Sequence, residues 1–161
     1  MATEIERKFL VTGDFRPFAV SQHQIVQFYL STRPDCTVRI RLTDDKAFIT
    51  IKGRSSEDGL ERAEWEYAIP VADAEDMLRL PGIQSLAKVR YRVPVGNHVW
   101  EVDVFEGTNA SLIMAEIELA SRDEAFERPD WIGPEVTGDA RYYNSQLLTA
   151  PYTGWTQSAI R

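Results

Sequence analysis

The sequence predicts a mainly β domain of the α+β class, with eight antiparallel strands and a few helices. Three observations carry this. Apolar and polar residues alternate with a period of two in eight separate segments, as expected of strands whose two faces meet different surroundings. Turn-forming residues such as Arg33-Pro34-Asp35, Asp44-Asp45 and Gly96-Asn97 separate neighbouring segments, so hairpins fit better than crossovers. The period changes to a helical one in only three places.

The first segment reads Glu4-Ile5-Glu6-Arg7-Lys8-Phe9-Leu10. As a strand it sets Glu4, Glu6 and Lys8 on one face and Ile5, Phe9 and Val11 on the other. Side chains two apart lie about 6.5–7 Å from each other. Two carboxylates at that spacing can hold a hard divalent cation, and the lysine can hold an anion beside it. The same pattern also suits a solvated edge strand. Thr12-Gly13-Asp14 is a turn, and alternation returns over residues 24–31, 37–42 and 47–52. Residues 53–59 are polar with glycine at both ends, which predicts a mobile loop. Residues 62–69 form the fifth strand. An apolar face at helical spacing then predicts a helix over 72–80, with Asp73 as N-cap and Pro81-Gly82 as the stop. Strands follow at 87–93, 99–105 and 113–119. Helices are predicted at 122–127 and 141–148, and residues 150–161 lack a clear pattern.

The charges are sorted by strand. Acids dominate the first, fifth, seventh and eighth (Glu4, Glu6; Glu64, Glu66; Glu101, Asp103; Glu116, Glu118). Bases dominate the third, fourth and sixth (Arg39, Arg41; Lys52; Lys88, Arg90, Arg92). Like charges two residues apart are unfavourable unless a counter-ion lies between them. A closed sheet whose polar faces converge on one lumen accounts for the sorting. A sandwich burying the aliphatic faces accounts for the alternation equally well, and the pattern by itself leaves both open.

Composition narrows the function classes. The chain has 161 residues, 43% hydrophobic and 27% charged, which suits a single globular domain. Its net charge of -7 argues against nucleic acid as a partner. Cys36 is the only cysteine, so no internal disulfide is expected. No apolar run is long enough to span a membrane, and the N-terminal stretch is charged where a signal peptide is apolar, so a cytoplasmic location without membrane contact is expected. His23 and His98 read as surface residues. Glu101 suits a barrel mouth, and Arg62 and Arg92 suit structural ion pairs at strand ends.

Glu4-Ile5-Glu6-Arg7-Lys8 resembles the Glu-x-Glu-x-Lys signature of the CYTH superfamily, the triphosphate tunnel metalloenzymes. Further segments match in the family's order: Tyr29-Leu30-Ser31, Arg39-Ile40-Arg41, Thr50-Ile51-Lys52, Glu64-Trp65-Glu66, Lys88-Val89-Arg90-Tyr91, Glu101-Val102-Asp103, Glu116-Ile117-Glu118, and Val136-Thr137-Gly138-Asp139 with Arg141 and Asn144. The resemblance is greatest to short bacterial inorganic tripolyphosphatases. It implies one CYTH-like domain over 1–161, with an eight-stranded antiparallel barrel at about 3–120, a helical segment at about 121–150 and a tail at 151–161. The lumen would be charged, and Ile5, Val38, Ile49, Trp65, Val102 and Ile117 would form the structural side.

The implied activity is metal-dependent hydrolysis of inorganic triphosphate to diphosphate and phosphate. The alternatives are a nucleoside or thiamine triphosphatase, an adenylyl cyclase, or a non-enzymatic polyphosphate or nucleotide-binding module. Under this resemblance Lys8, Arg39, Arg41, Lys88, Arg90 and Arg141 contact substrate phosphates, with one family lysine replaced by Ala140. Glu4, Glu6 and Glu116, joined by Glu64, Asp103 and Glu118, hold Mg²⁺ or Mn²⁺, for which all-oxygen ligation is suited. A second such ion would lower the pKa of an attacking water. Lys52 and Tyr29 take catalytic roles in orienting the terminal phosphoryl group or the water. The partner is a small polyanion, and the chain would be a monomer or homodimer.

Overall fold

The computed structural model describes residues 2–155. Nine strands form one sheet: β1 (Ala2–Val11), β2 (Ser21–Arg33), β3 (Cys36–Thr43), β4 (Lys46–Gly53), β5 (Glu61–Ile69), β6 (Ser85–Val95), β7 (His98–Phe105), β8 (Ile113–Glu118) and β9 (Ile132–Glu135). The order is β5-β4-β3-β2-β6-β7-β8-β1-β9, and a further β5–β1 pairing closes the first eight into an antiparallel barrel. The barrel with a charged lumen, rather than the sandwich, is the outcome. β1 makes closure possible by dividing its length. Its first residues pair with β5, Glu6–Leu10 pair with β8, and its last residues take the added strand β9.

The alternating faces sort as closure requires. Phe28 and Ile40 point outward, where α1 (Val71–Leu78) covers them through Ala74. Phe9, Val93, Trp100, Val102, Ala115 and Ile117 form a second outer cluster over β1, β6, β7 and β8. Phe15 and Trp131 from the flanking loops complete it, and Phe126 packs on it. Edge-to-face ring contacts run from Phe9 to Trp100 and from Trp100 to Trp131, at centroid separations of 5.4 and 5.8 Å.

The lumenal rows are charged for only part of their length. In β1 the row runs Glu4, Glu6, Lys8 and then Leu10; in β6 it begins at Leu86 before Lys88 and Arg90. Leu86, Phe105, Leu112 and Met114 form an apolar layer at that end, packed with Leu10, and the C-terminal segment closes it with Tyr142 and Leu147. A closed apolar floor keeps water from the lumen at that end, because it offers no polar partner.

Several predicted elements differ. α1 starts at Val71 with Pro70 as its extended N-cap, so Asp73 lies in the first turn rather than at the cap. No helix forms at 122–127. There Ser121 bonds Asp123 and the Glu124 carboxylate accepts the Ala120 N–H, local bonds that compete with a helix. Packing of Phe126 on Trp100 also draws this stretch along the barrel wall. The predicted 141–148 helix is a 3₁₀ turn at Ala140–Tyr142 followed by one short turn, α2 (Asn144–Leu147).

The loop expected to be mobile is tied at several points. Arg122 bridges Asp58 and Glu61. Gly59, at φ 76°, lies against Gly138, at φ 80°, so closely that a Cβ on Gly59 would sit 2.4 Å from the Gly138 Cα. Part of the tail predicted to lack pattern also packs: Trp155 lies edge-on to Tyr142 and Tyr152. Residues 156–161 of that prediction lie outside the described residues. No helix among the described residues is long and apolar enough to cross a membrane.

Candidate active site

Inside the barrel lies a cavity of about 270 Å³. Its lining includes Glu4, Glu6, Lys8, Tyr29, Arg39, Arg41, Lys52, Glu64, Lys88, Arg90, Glu116 and Glu118. Twelve of the fourteen predicted site residues therefore meet on one space; the exceptions are Asp103 and Arg141. The reason is register. β1 opposes β8 with Glu6 facing Glu118 and Lys8 facing Glu116, while β7 opposes β8 with Glu101 facing Glu116. Carboxylates thus stand directly across from carboxylates on neighbouring strands.

The acidic wall, from β1, β5 and β8, carries its charge under strain. Burial, with the charges of Glu116 and Glu4, pushes the Glu6 carboxyl up to about 8. Burial and a hydrogen bond shared with Glu4 raise Glu64 to about 7. Glu4 and Glu116 are desolvated as well, but cations overcome this and hold both below the ordinary carboxylate range. Lys52 bonds Glu4 at 2.8 Å and lies 3.6 Å from Glu64. Lys8 bonds Glu116 at 2.9 Å and lies 3.3 Å from Glu6.

The basic wall, from β3 and β6, is the converse. Burial and the neighbouring Arg39 and Arg90 lower Arg41 to about 9. Burial also lowers Lys88, to about 7, with Arg90 and Arg41 adding to the effect against the pull of Asp103. Arg39 donates to Thr50 at 3.1 Å, and Thr50 donates to Glu66 at 2.6 Å.

Two predicted site residues have other uses. Asp103 is 1% exposed and takes both arms of Arg90, at 2.8 and 2.9 Å, together with Lys88 at 2.8 Å. Its lone pairs are committed to the basic wall, so it is the counter-ion of that wall and lies off the cavity surface. Arg141 binds Asp139 at 2.7 Å and stacks over Tyr142 and Trp155, outside the lining. Arg62 lines the cavity instead of making the predicted ion pair, donating to the Gly53 carbonyl and to Thr37. Glu101 also lines it, while pairing with Arg90 and Arg92. His23 pairs with Asp44 at 2.6 Å; His98 pairs with Glu124 and is largely covered.

The cavity also contains residues to which sequence reasoning gave no role, although Thr50 and Asn144 belong to the segments that carry the resemblance. Thr37, Thr50, Ser55, Tyr143, Asn144 and Ser145 belong to its lining. Thr37 and Thr50 share the lumenal period of Arg39 and Lys52, a signal that was available. The others come from loop and C-terminal segments whose approach no periodicity reveals.

The carboxylates suit a hard divalent cation. All donors are oxygens, carboxylates oppose one another across strands, and a cation between them would relieve the repulsion that raises Glu6. Among the described residues no three acidic side chains converge on one point, because Lys8 and Lys52 stand between them.

A model of the CYTH domain family matches residues 2–145. The chain belongs to the CYTH family. It is 42% identical over 158 residues to an inorganic triphosphatase of Acetivibrio thermocellus, covering 98% of this chain and all of that one. It is 39% identical over 150 residues to an inorganic triphosphatase of Nitrosomonas europaea, covering 90% and 96%. Among solved structures, a crystal structure of an inorganic triphosphatase superposes with a TM-score of 0.63 at 35% identity, covering 92% of this chain and 95% of its own. The divided β1, the two charged walls and the C-terminal cover described above are therefore features of a CYTH barrel.

Proposed function

We propose that this barrel hydrolyses inorganic triphosphate to diphosphate and phosphate with the help of Mg²⁺ or Mn²⁺. The observation that carries the reading is the meeting of an acidic wall and a basic wall across one cavity. A triphosphate chain bears charge along its whole length, and phosphoryl transfer is catalysed mostly by positioning and charge neutralisation. Arg39, Arg41 and Arg90 offer forked donors to phosphate oxygens, and Lys8 adds a point charge. Glu4, Glu6, Glu64, Glu116 and Glu118 would hold the divalent ion. Bound there, it supplies charge neutralisation and a more acidic water. Asp103 is left out of that set because Arg90 and Lys88 consume it.

Lys88 lines the cavity, and its ammonium, paired with Asp103 at 2.8 Å, adds a second point charge toward the phosphates. Lys52, held by Glu4, is better suited to orient the terminal phosphoryl group, with Tyr29 beside it in the lining. The high relatedness to two inorganic triphosphatases over nearly the whole chain supports the same substrate.

The test is phosphate release from tripolyphosphate, ATP, thiamine triphosphate and diphosphate, with and without EDTA. Tripolyphosphate should be cleaved fastest, EDTA should abolish the reaction, and Mg²⁺ or Mn²⁺ should restore it. Faster cleavage of ATP or thiamine triphosphate would transfer the reading to those substrates.

A further inference from the structure

Asn144 stands out among the residues that periodicity could not find. It starts α2, outside the barrel strands, yet it lines the cavity. Its neighbours fix it there. Tyr142 and Leu147, 1% and 0% exposed, lie on either side of it in the apolar floor with Leu86, Phe105 and Met114. Further back, Gly138 crosses Gly59 at backbone contact, and Asp139 accepts the Arg141 N–H at 3.1 Å. The segment is thus pinned on both sides of Asn144, whose side chain joins the hydrogen-bond network of the lumen.

The Asn144 side-chain oxygen accepts two hydrogen bonds. Lys88 Nζ donates at 2.7 Å and Gln27 Nε2 at 3.0 Å. Gln27, 1% exposed, offers its own oxygen to Arg41 Nε at 3.4 Å. The direction of this relay follows from chemistry. A guanidinium can only donate, so Gln27 presents oxygen to Arg41 and nitrogen to Asn144, which must then present oxygen. Lys88 completes the same acceptor. Its other partner is Asp103 at 2.8 Å, which lies off the cavity surface and is already gripped by Arg90. Asn144 is therefore the contact that holds Lys88 at the lining against the pull of Asp103. It is neutral, so it does this without adding negative charge to a cavity meant for a polyanion.

We infer that Asn144 is a positioning residue, whose oxygen sets Lys88 and, through Gln27, Arg41 toward the substrate, so that seating of the C-terminal segment completes the basic wall. This rests on the reading of the cavity as a triphosphate site, but its first test does not. Trace acetylation with acetic anhydride reports how each amine is held, without substrate. In Asn144→Ala the labelling of Lys88 relative to exposed Lys46 should change at least about threefold, as expected when a fixing partner is lost. An unchanged ratio in a folded variant overturns the inference and leaves the proposed activity untouched.

The second test is kinetic. With tripolyphosphate, Asn144→Ala should lower kcat about tenfold or more with KM changed much less, because a misplaced group costs rate. The double variant Lys88→Ala/Asn144→Ala should be no slower than Lys88→Ala alone. Multiplying effects would show that Asn144 does not act through Lys88. Asn144→Asp keeps the shape and the Lys88 contact but adds charge, so it should raise KM more than it lowers kcat. If Asn144→Ala does not fold, as circular dichroism would show, Gln27→Met, labelled and assayed in the same way, decides. Wild-type rate and labelling in that variant overturn the relay. A wild-type enzyme that releases no phosphate overturns the activity, and the labelling ratio still decides the positioning.

Discussion

The two walls of the lumen solve the burial of charge in opposite ways. In the basic wall the counter-charge is built in: Asp103 is 1% exposed and both its oxygens are taken by Arg90 and Lys88. In the acidic wall carboxylates face carboxylates across β1, β7 and β8, and Lys8, Lys52 and Arg90 offset them only in part, since Glu6 and Glu64 stay raised. One wall is finished by the chain itself, whereas the other keeps carboxyls that burial and neighbouring carboxyl groups hold above their ordinary range. A buried charge whose partner is fixed serves architecture, and one whose partner is missing serves binding.

Four changes would break or sharpen that contrast. The largest effect is expected for Asp103→Asn, which strands two buried cations. It should cost about 3–5 kcal/mol of folding stability in urea unfolding, with or without divalent metal. If it instead abolished metal dependence at unchanged stability, Asp103 would belong to the acidic wall. Glu6→Gln should have the reverse profile: turnover of tripolyphosphate down by about a hundredfold or more, with little loss of stability. Equal turnover at saturating Mg²⁺ would remove Glu6 from the metal set.

Arg41→Lys keeps the charge and loses the fork. An increase in KM of about tenfold is expected, read from initial rates. The smallest effect lies outside the lumen, where Arg7 binds Glu135 through two hydrogen bonds of 2.8 and 2.6 Å and fastens β9 to β1. The bond to Arg7 holds the Glu135 carboxyl below its ordinary value. Its contribution is therefore complete above the ordinary carboxylate pKa and disappears as pH falls through the lowered one. Arg7→Ala should cost about 1 kcal/mol or less at neutral pH. The difference from wild type should shrink in strong acid to what the stacking of Arg7 on Phe9 and Phe126 supplies, as thermal unfolding across pH would show.

Much of the site was legible because strand periodicity is a local property. Glu4, Glu6 and Lys8 had to share a face once the segment was extended, and so did Arg39 with Arg41 and Lys88 with Arg90. Sorting of charge by strand also pointed to a lumen. The same signal misled at Asp103, because period two assigns a face but not a depth. Asp103 shares its face with Glu101, yet the register that places it opposite Arg90 buries it completely. The predicted helix at 122–127 failed for a related reason, since side-chain bonds and the packing of Phe126 outweighed a weak helical pattern.

The sequence by itself determined the strands, the faces of their side chains and the charge of each lumenal row, because these follow from neighbours one or two residues apart. Tertiary structure alone decided closure of β1 onto β5 and the depth at which the charged rows give way to Leu10, Leu86, Phe105 and Met114. It also decided the arrival of Asn144 at Lys88. These depend on the stagger of a closed barrel and on contacts such as Lys8–Glu116 and Lys88–Asn144, 108 and 56 residues apart. No local pattern encodes such a distance, since it is set by how whole strands and the C-terminal segment pack.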